Sequence, residues 1–163
     1  MMSWHRVRVH DGVFVRSFFI RRFLRIAPMY YAGAAIYFIA EPPVSGFNLP
    51  QMLISFTFLN TWRPEWIPTT PGWMVVPGGW SIGVEFTFYA LFPLLAALVT
   101  SLPRALAFFA AAFAFACGAN HLGATWLAGY PADAAGNFLY FWFPNQVPVF
   151  ALGFVLYFVI ESR

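Results

Sequence analysis

Lysine is absent from this chain of 163 residues, and charge of any kind is scarce: 9% of residues are charged, against roughly 25% in an ordinary soluble domain. A water-soluble enzyme of this length needs a polar coat that so few charges cannot supply. There is one cysteine, Cys117. A single thiol makes no internal disulfide and says nothing of the compartment; in its Ala/Phe run it reads as a small buried apolar residue. His5, His10 and His121 show no metal-ligand spacing of the His-Glu-x-x-His kind, so no metal site is expected. No Gly-rich phosphate loop follows a strand pattern, and there is no nucleophile elbow and no internal repeat. What abounds is apolar: 61% of residues are hydrophobic and 21% aromatic, with 21 Phe. Disordered chains are poor in such residues. The class that remains is an all-α integral membrane protein.

The net charge of +3 is carried by Arg alone. Arg6, Arg8, Arg16, Arg21, Arg22 and Arg25 crowd the first 25 residues, opposed there only by Asp11. Such a segment faces the cytoplasm and anionic membrane lipids. The apolar remainder argues against nucleic acid as a partner. A basic start before an apolar stretch also resembles a signal peptide. However, Ile26–Ala40 runs into Glu41-Pro42-Pro43 with no small-x-small cleavage site, which favours a retained anchor.

The pattern predicts a basic cytoplasmic segment over 1–17 and about four transmembrane helices near 18–40, 80–100, 105–122 and 138–160. The first can span if Arg21, Arg22 and Arg25 snorkel to the headgroups, with Pro28 tolerated near the helix start. The last is expected to break near Pro144 and Pro148. Glu41–Gly79 holds seven prolines and reads mainly as a loop. Within it Leu49–Thr61, about 20 Å as a helix, reads as a short re-entrant or interfacial helix. Trp62, Trp66 and Trp73 suit an interfacial aromatic belt. With four spans both termini are cytoplasmic, and Arg104 and Arg163 join the N-terminal arginines inside; a fifth span would put those two outside, against the positive-inside rule.

Three polar groups stand out. Arg21, Arg22 and Arg25 fall within about a 100° arc of a helix, where like charges invite an anion; guanidinium forks suit phosphate. They serve equally as a topology determinant lying on lipid phosphates. Ser81, Glu85 and Tyr89 are spaced i, i+4, i+8 and stack on one helical face. Pro93 leaves the Tyr89 carbonyl without its helical donor. A polar stripe on an apolar helix faces protein or water rather than lipid. The plainer reading makes Ser81 an N-cap and Glu85 a partner of the helix dipole. Asn145 and Gln146, between Pro144 and Pro148, mark either a broken helix lining a cavity or an Asn145 N-cap. His121, beside Asn120 at a span end, reads as interfacial.

Two of these segments resemble the signatures of the acyltransferase-3 family of membrane O-acyltransferases. Phe18-Phe19-Ile20-Arg21-Arg22-Phe23-Leu24-Arg25-Ile26-Ala27-Pro28-Met29-Tyr30-Tyr31 is similar to its Arg-x-x-Arg stretch before Ile-x-Pro. Trp80-Ser81-Ile82-Gly83-Val84-Glu85-Phe86-Thr87-Phe88-Tyr89-Ala90-Leu91-Phe92-Pro93 is similar to its Trp-Ser-Leu-x-x-Glu stretch leading into Phe-Tyr and Pro. Pro148-Val149-Phe150-Ala151-Leu152-Gly153 also looks like a later family helix. The resemblance implies a multi-pass enzyme of the bacterial cytoplasmic membrane. Its donor substrate would be acyl-CoA, chiefly acetyl-CoA, with no bound cofactor. Its acceptor would be a hydroxyl of a carbohydrate or lipid-linked acceptor of the cell envelope. Arg22 and Arg25, with Arg21, would hold the donor's phosphates; Glu85 would be the supporting catalytic residue, and Ser81 and Tyr89 would line the polar interior as further substrate-binding residues. The family's first helix, carrying an Arg and the His expected as general base, has no counterpart before Phe18, and the role does not pass to His5 or His10. The chain is therefore expected to be a piece of the family, from the third span onward and stopping well before the family's usual end. A non-catalytic membrane subunit or inactive remnant, and a small transporter with Glu85 in an ion path, remain the alternatives.

Overall fold

Helix formation here follows from long apolar runs that must satisfy their backbone groups internally. The computed structural model describes residues 12–40, 49–66, 76 and 78–162. Among them every regular element is helical: α1 (Gly12–Ala40), α2 (Leu49–Phe56), a 3-10 turn at Pro64–Trp66, α3 (Trp80–Leu98), α4 (Leu102–Trp126), α5 (Ala132–Phe141) and α6 (Phe143–Glu161). Four stretches are long and apolar enough to cross a membrane: Val15–Ala40, Trp80–Leu98, Leu102–Trp126 and Ala132–Glu161, the last comprising α5 and α6. Exposed Ile39 (81%) and Met29 (75%) are what a lipid-facing surface requires.

The helices differ in detail from the sequence pattern. α1 begins at Gly12 and takes in Arg16, so Pro28 is an interior residue rather than one near the helix start. It deprives the Leu24 carbonyl of its donor. α4 runs past the expected end at Leu122 to Trp126. Cys117 is exposed on it, not buried: the inward face of α4 belongs to Ala105, Ala112, Ala116 and Gly123, spaced so as to share one side.

That small-residue face meets α6, and this is the most extensive helix pair of the fold. Ala112 packs with Val147 and Ala151, flanked by Phe108, Phe109 and Phe143. Ala105 and Ala151 are completely buried. Small side chains let two backbones approach closely where no hydrophobic force separates helix from lipid.

The break in the last span falls at Trp142, whose backbone is extended (φ −71°, ψ 156°). Pro144 has no N–H to give the Tyr140 carbonyl. Two side-chain amides take its place: Asn145 Nδ2 and Gln146 Nε2 donate to that oxygen at 3.1 and 2.8 Å. Asn145 is therefore not an N-cap; Trp142 holds that position with no side-chain cap bond.

α2 is an eight-residue helix, about 12 Å long, shorter than the expected Leu49–Thr61. It stops because Phe58 turns left-handed (φ 61°), a conformation costing roughly 1–2 kcal/mol in a non-glycine residue. Ring contacts offset the cost. Phe58 stacks on Phe86 with centroids 4.5 Å apart and meets Tyr30 at 5.3 Å, in a cluster with Ala27, Phe56, Val76 and Ile82. Tyr30 and Tyr31 of α1 donate to the Ser55 and Phe56 carbonyls (3.3 and 3.0 Å), which ties α2 to α1. Trp62 is exposed and Trp66 lies under the Arg63 guanidinium (5.4 Å). Trp73, His5 and His10 lie outside the described residues.

Candidate functional site

The Trp80–Pro93 segment forms α3 because a left-handed Gly78 (φ 79°) turns the chain into it, a backbone state natural to glycine. Gly79 is the N-cap and makes no side-chain bond. Ser81 is thus inside the helix, not its cap, and its hydroxyl donates to the Gly78 carbonyl (3.0 Å). No acidic residue lies in the first turn of α3, so Glu85 sits beyond the reach of the dipole. One turn later the Tyr89 hydroxyl donates to Glu85 Oε2 at 2.9 Å. Both residues are half-buried. Of the stripe Ser81, Glu85, Tyr89, the last two form one unit and Ser81 stands apart.

From α1, Arg22 completes this unit. Its guanidinium carbon lies 5.1 Å from the centre of the Tyr89 ring and 5.6 Å from that of Phe18. Phe18 in turn stacks on Phe92 (5.2 Å, 13° between planes). Cation–π contacts of this kind are worth about 0.5–1 kcal/mol at exposed sites and more when desolvated. Tyr89 therefore links a cation at its face to a carboxylate at its hydroxyl. Arg25, on the same helix, is exposed. Arg21 is exposed as well and takes no part in the Arg22–Tyr89–Glu85 unit.

Arg22 also borders a cavity of about 460 Å³ between α1, α3 and α6, walled by Phe88, Phe92, Phe150, Phe154 and Phe158. Its volume lies within the usual range of ligand sites, about 300–1,000 Å³. Phe88 and Phe150, both on its wall, stack nearly parallel at 4.1 Å. Thr100, in the turn after α3, and Glu161, at the end of α6, border it as well.

Two features of the site region have only faint sequence signals. Gly83 lets the 58–61 loop sit directly on α3: a Cβ there would meet Asn60 Oδ1 and the Phe58 carbonyl at 2.8 Å and Thr61 Oγ1 at 3.2 Å. Asn60 Oδ1 and Thr61 Oγ1 are buried with no hydrogen-bond partner; they crowd the bare Cα, where only weak C–H···O contacts are on offer. The second feature is an amide network. Asn120 of α4 donates to Asn145 Oδ1 (2.7 Å) and accepts from Trp142 Nε1 (2.8 Å). Polar residues in apolar runs were the only clue to either. His121, next to Asn120, is exposed.

Between the loops, the Tyr130 hydroxyl donates to the Glu65 carboxylate in a short contact. That bond holds the Glu65 carboxyl below the usual carboxylate range and pushes the Tyr130 phenol up.

Comparison with known proteins adds to this geometry. The acyltransferase-3 family model, described as an acyltransferase domain, matches residues 12–162. Acyltransferase MdmB of Streptomyces mycarofaciens is 34% identical over 109 residues, covering 63% of this chain and 27% of that protein. The chain thus spans about a quarter of the curated relative it matches. No solved structure matches it.

Proposed function

The chain belongs to the acyltransferase-3 family, and from that premise we propose that it forms part of a membrane O-acyltransferase drawing an acyl group, in the simplest case acetyl, from acyl-CoA. The acceptor is a hydroxyl of a cell-envelope carbohydrate or of a lipid-linked form of one. The acceptor oxygen bonds to the thioester carbonyl carbon, the C–S bond breaks, and the hydroxyl proton ends on the released thiol. The enzyme lies in a bacterial cytoplasmic membrane with both ends of this segment inside.

One observation carries the reading: the half-buried Arg22 guanidinium lies on the Tyr89 ring while Tyr89 holds Glu85, all beside an aromatic cavity. An intramembrane carboxylate and guanidinium are costly and rarely idle. Arg22 and Arg25 supply the positive charge that an anionic donor needs. Glu85 has a supporting role, fixing Tyr89 and balancing the charge of Arg22. Ser81 serves the start of α3.

The test is acetyl-CoA binding to the chain in lipid nanodiscs. Arg22→Ala combined with Arg25→Ala should weaken binding at least tenfold and leave membrane insertion unchanged. Unaltered affinity rejects the donor role.

A further inference from the structure

Beside Gly83 three oxygens converge on one point. Where a Cβ would stand, Asn60 Oδ1 and the Phe58 carbonyl oxygen are 2.8 Å away and Thr61 Oγ1 is 3.2 Å away. Asn60 is 6% exposed and Thr61 3%, and neither side-chain oxygen has a hydrogen-bond partner. Two orphaned oxygens buried side by side are costly and call for an explanation. The C–H groups of Gly83 are too weak to supply one.

The surroundings make the spot negative. The chain reaches it from the C-terminal end of α2, where helix carbonyls concentrate negative potential. The last turn of α2 carries no basic residue. The next cation in sequence, Arg63, lays its guanidinium on the Trp66 ring. Carbonyls at the end of a short helix in a membrane protein are a recurring source of ligands for alkali ions. A negative potential favours a cation over a neutral water molecule among these oxygens.

We propose that the Phe58 carbonyl, Asn60 Oδ1 and Thr61 Oγ1 bind a sodium ion, seated among them over the bare Cα of Gly83. All three ligands are hard, neutral oxygens, which suits a monovalent ion. Calcium and magnesium sites recruit carboxylates, and none is among the three. Glycine at 83 belongs to the site, because a Cβ would intrude on the ion's place. The ion bridges the 58–61 loop and α3 two residues before Glu85. It thereby fixes the loop against the helix that carries the Glu85–Tyr89 pair. The site is independent of the donor reading and stands or falls apart from it.

The experiment uses the chain in nanodiscs. It measures uptake of radiolabelled sodium, and thermal unfolding in sodium chloride against choline chloride at equal ionic strength. The parent chain should bind sodium saturably and unfold several degrees higher in the sodium salt, as any ligand of the folded state requires. Thr61→Val keeps the shape and removes the hydroxyl; it should weaken sodium at least tenfold, and Thr61→Ser should restore it. Asn60→Asp keeps an oxygen at the site and adds a negative charge, so it should tighten sodium at least tenfold. If the parent chain takes up no sodium and unfolds alike in both salts, no ion is held there and the proposal falls. If Asn60→Asp weakens sodium, Asn60 turns its amide nitrogen to the site and the ligand set is overturned. If Thr61→Val leaves uptake unchanged, the ion lies elsewhere and the assignment to this loop is rejected.

Discussion

Tyr89 and Glu85 are joined one turn apart on α3, the tyrosine hydroxyl 2.9 Å from the carboxylate it serves, while Arg22 of α1 rests on the tyrosine ring. Two groups of opposite charge, from two helices, are thereby held by one phenol. Tyr89→Phe keeps the ring under Arg22 and removes only the donor to Glu85. It should cost about 1–3 kcal/mol, the penalty for leaving a partly buried polar group without its bond. Tyr89→Ala should cost more, since it also strips the cation of its ring. Denaturant unfolding in detergent checks both; a Tyr89→Phe chain as stable as the parent denies the bond any role.

Gly83→Ala should destabilise the chain by about 1–3 kcal/mol, the usual cost of overpacking, since the new methyl meets the Phe58 carbonyl and Asn60 Oδ1 at 2.8 Å. The same change at Gly118, which faces open space, should be neutral or stabilise α4 by up to about 1 kcal/mol through helix propensity. Thermal unfolding of the two variants side by side gives the comparison, and equal midpoints would contradict the close seating of the loop on α3.

Asn120→Ala leaves the Trp142 indole N–H and Asn145 Oδ1 without their partner. A loss of about 1–3 kcal/mol is expected, with a red shift in tryptophan emission as the indole seeks water. Combining it with Asn145→Ala should cost less than the two single losses added, because both remove the same bond. Strict additivity in a double-mutant cycle would count against the network.

The Tyr130–Glu65 contact predicts a pH window. Glu65 is depressed, so what it contributes is present above the ordinary carboxylate value, about 4, and is lost as pH falls through its lowered value. Tyr130 is raised, so its contribution is present below the ordinary phenol value, about 10, and is lost as pH rises through its raised value. The α4–α5 loop should be most protected between those limits. Proteolysis of that loop should be flat with pH in Tyr130→Phe and show the window in the parent; identical profiles refute the linkage.

The membrane class and the four spans could be read from the sequence because each rests on composition over some twenty residues. The Glu85–Tyr89 pair was legible too, since i, i+4 spacing is fixed by the helix itself. Three things were not. Ser81 matched a cap by residue type, but capping depends on where the chain turns, and the turn at Gly78 puts the cap at Gly79, two residues earlier than the pattern suggests. Cys117 has the size of a buried residue, yet the buried face of α4 is chosen by which alanines meet α6. The partnership of Arg22 rather than Arg21 with Tyr89 depends on the rotation of α1 against α3, which a run of apolar residues on all sides does not encode.

The alanine seam between α4 and α6 has a consequence for motion. Backbones that nearly touch through methyl groups leave no side-chain torsion with which to slide, so those two helices move as one stiff plank. α1 and α3 meet the rest through phenyl rings, which can turn in place. The cavity beside Arg22 is walled by rings from both sides, Phe88 and Phe92 of α3 and Phe150, Phe154 and Phe158 of α6, so its bore can breathe by ring rotation alone, with no helix displaced.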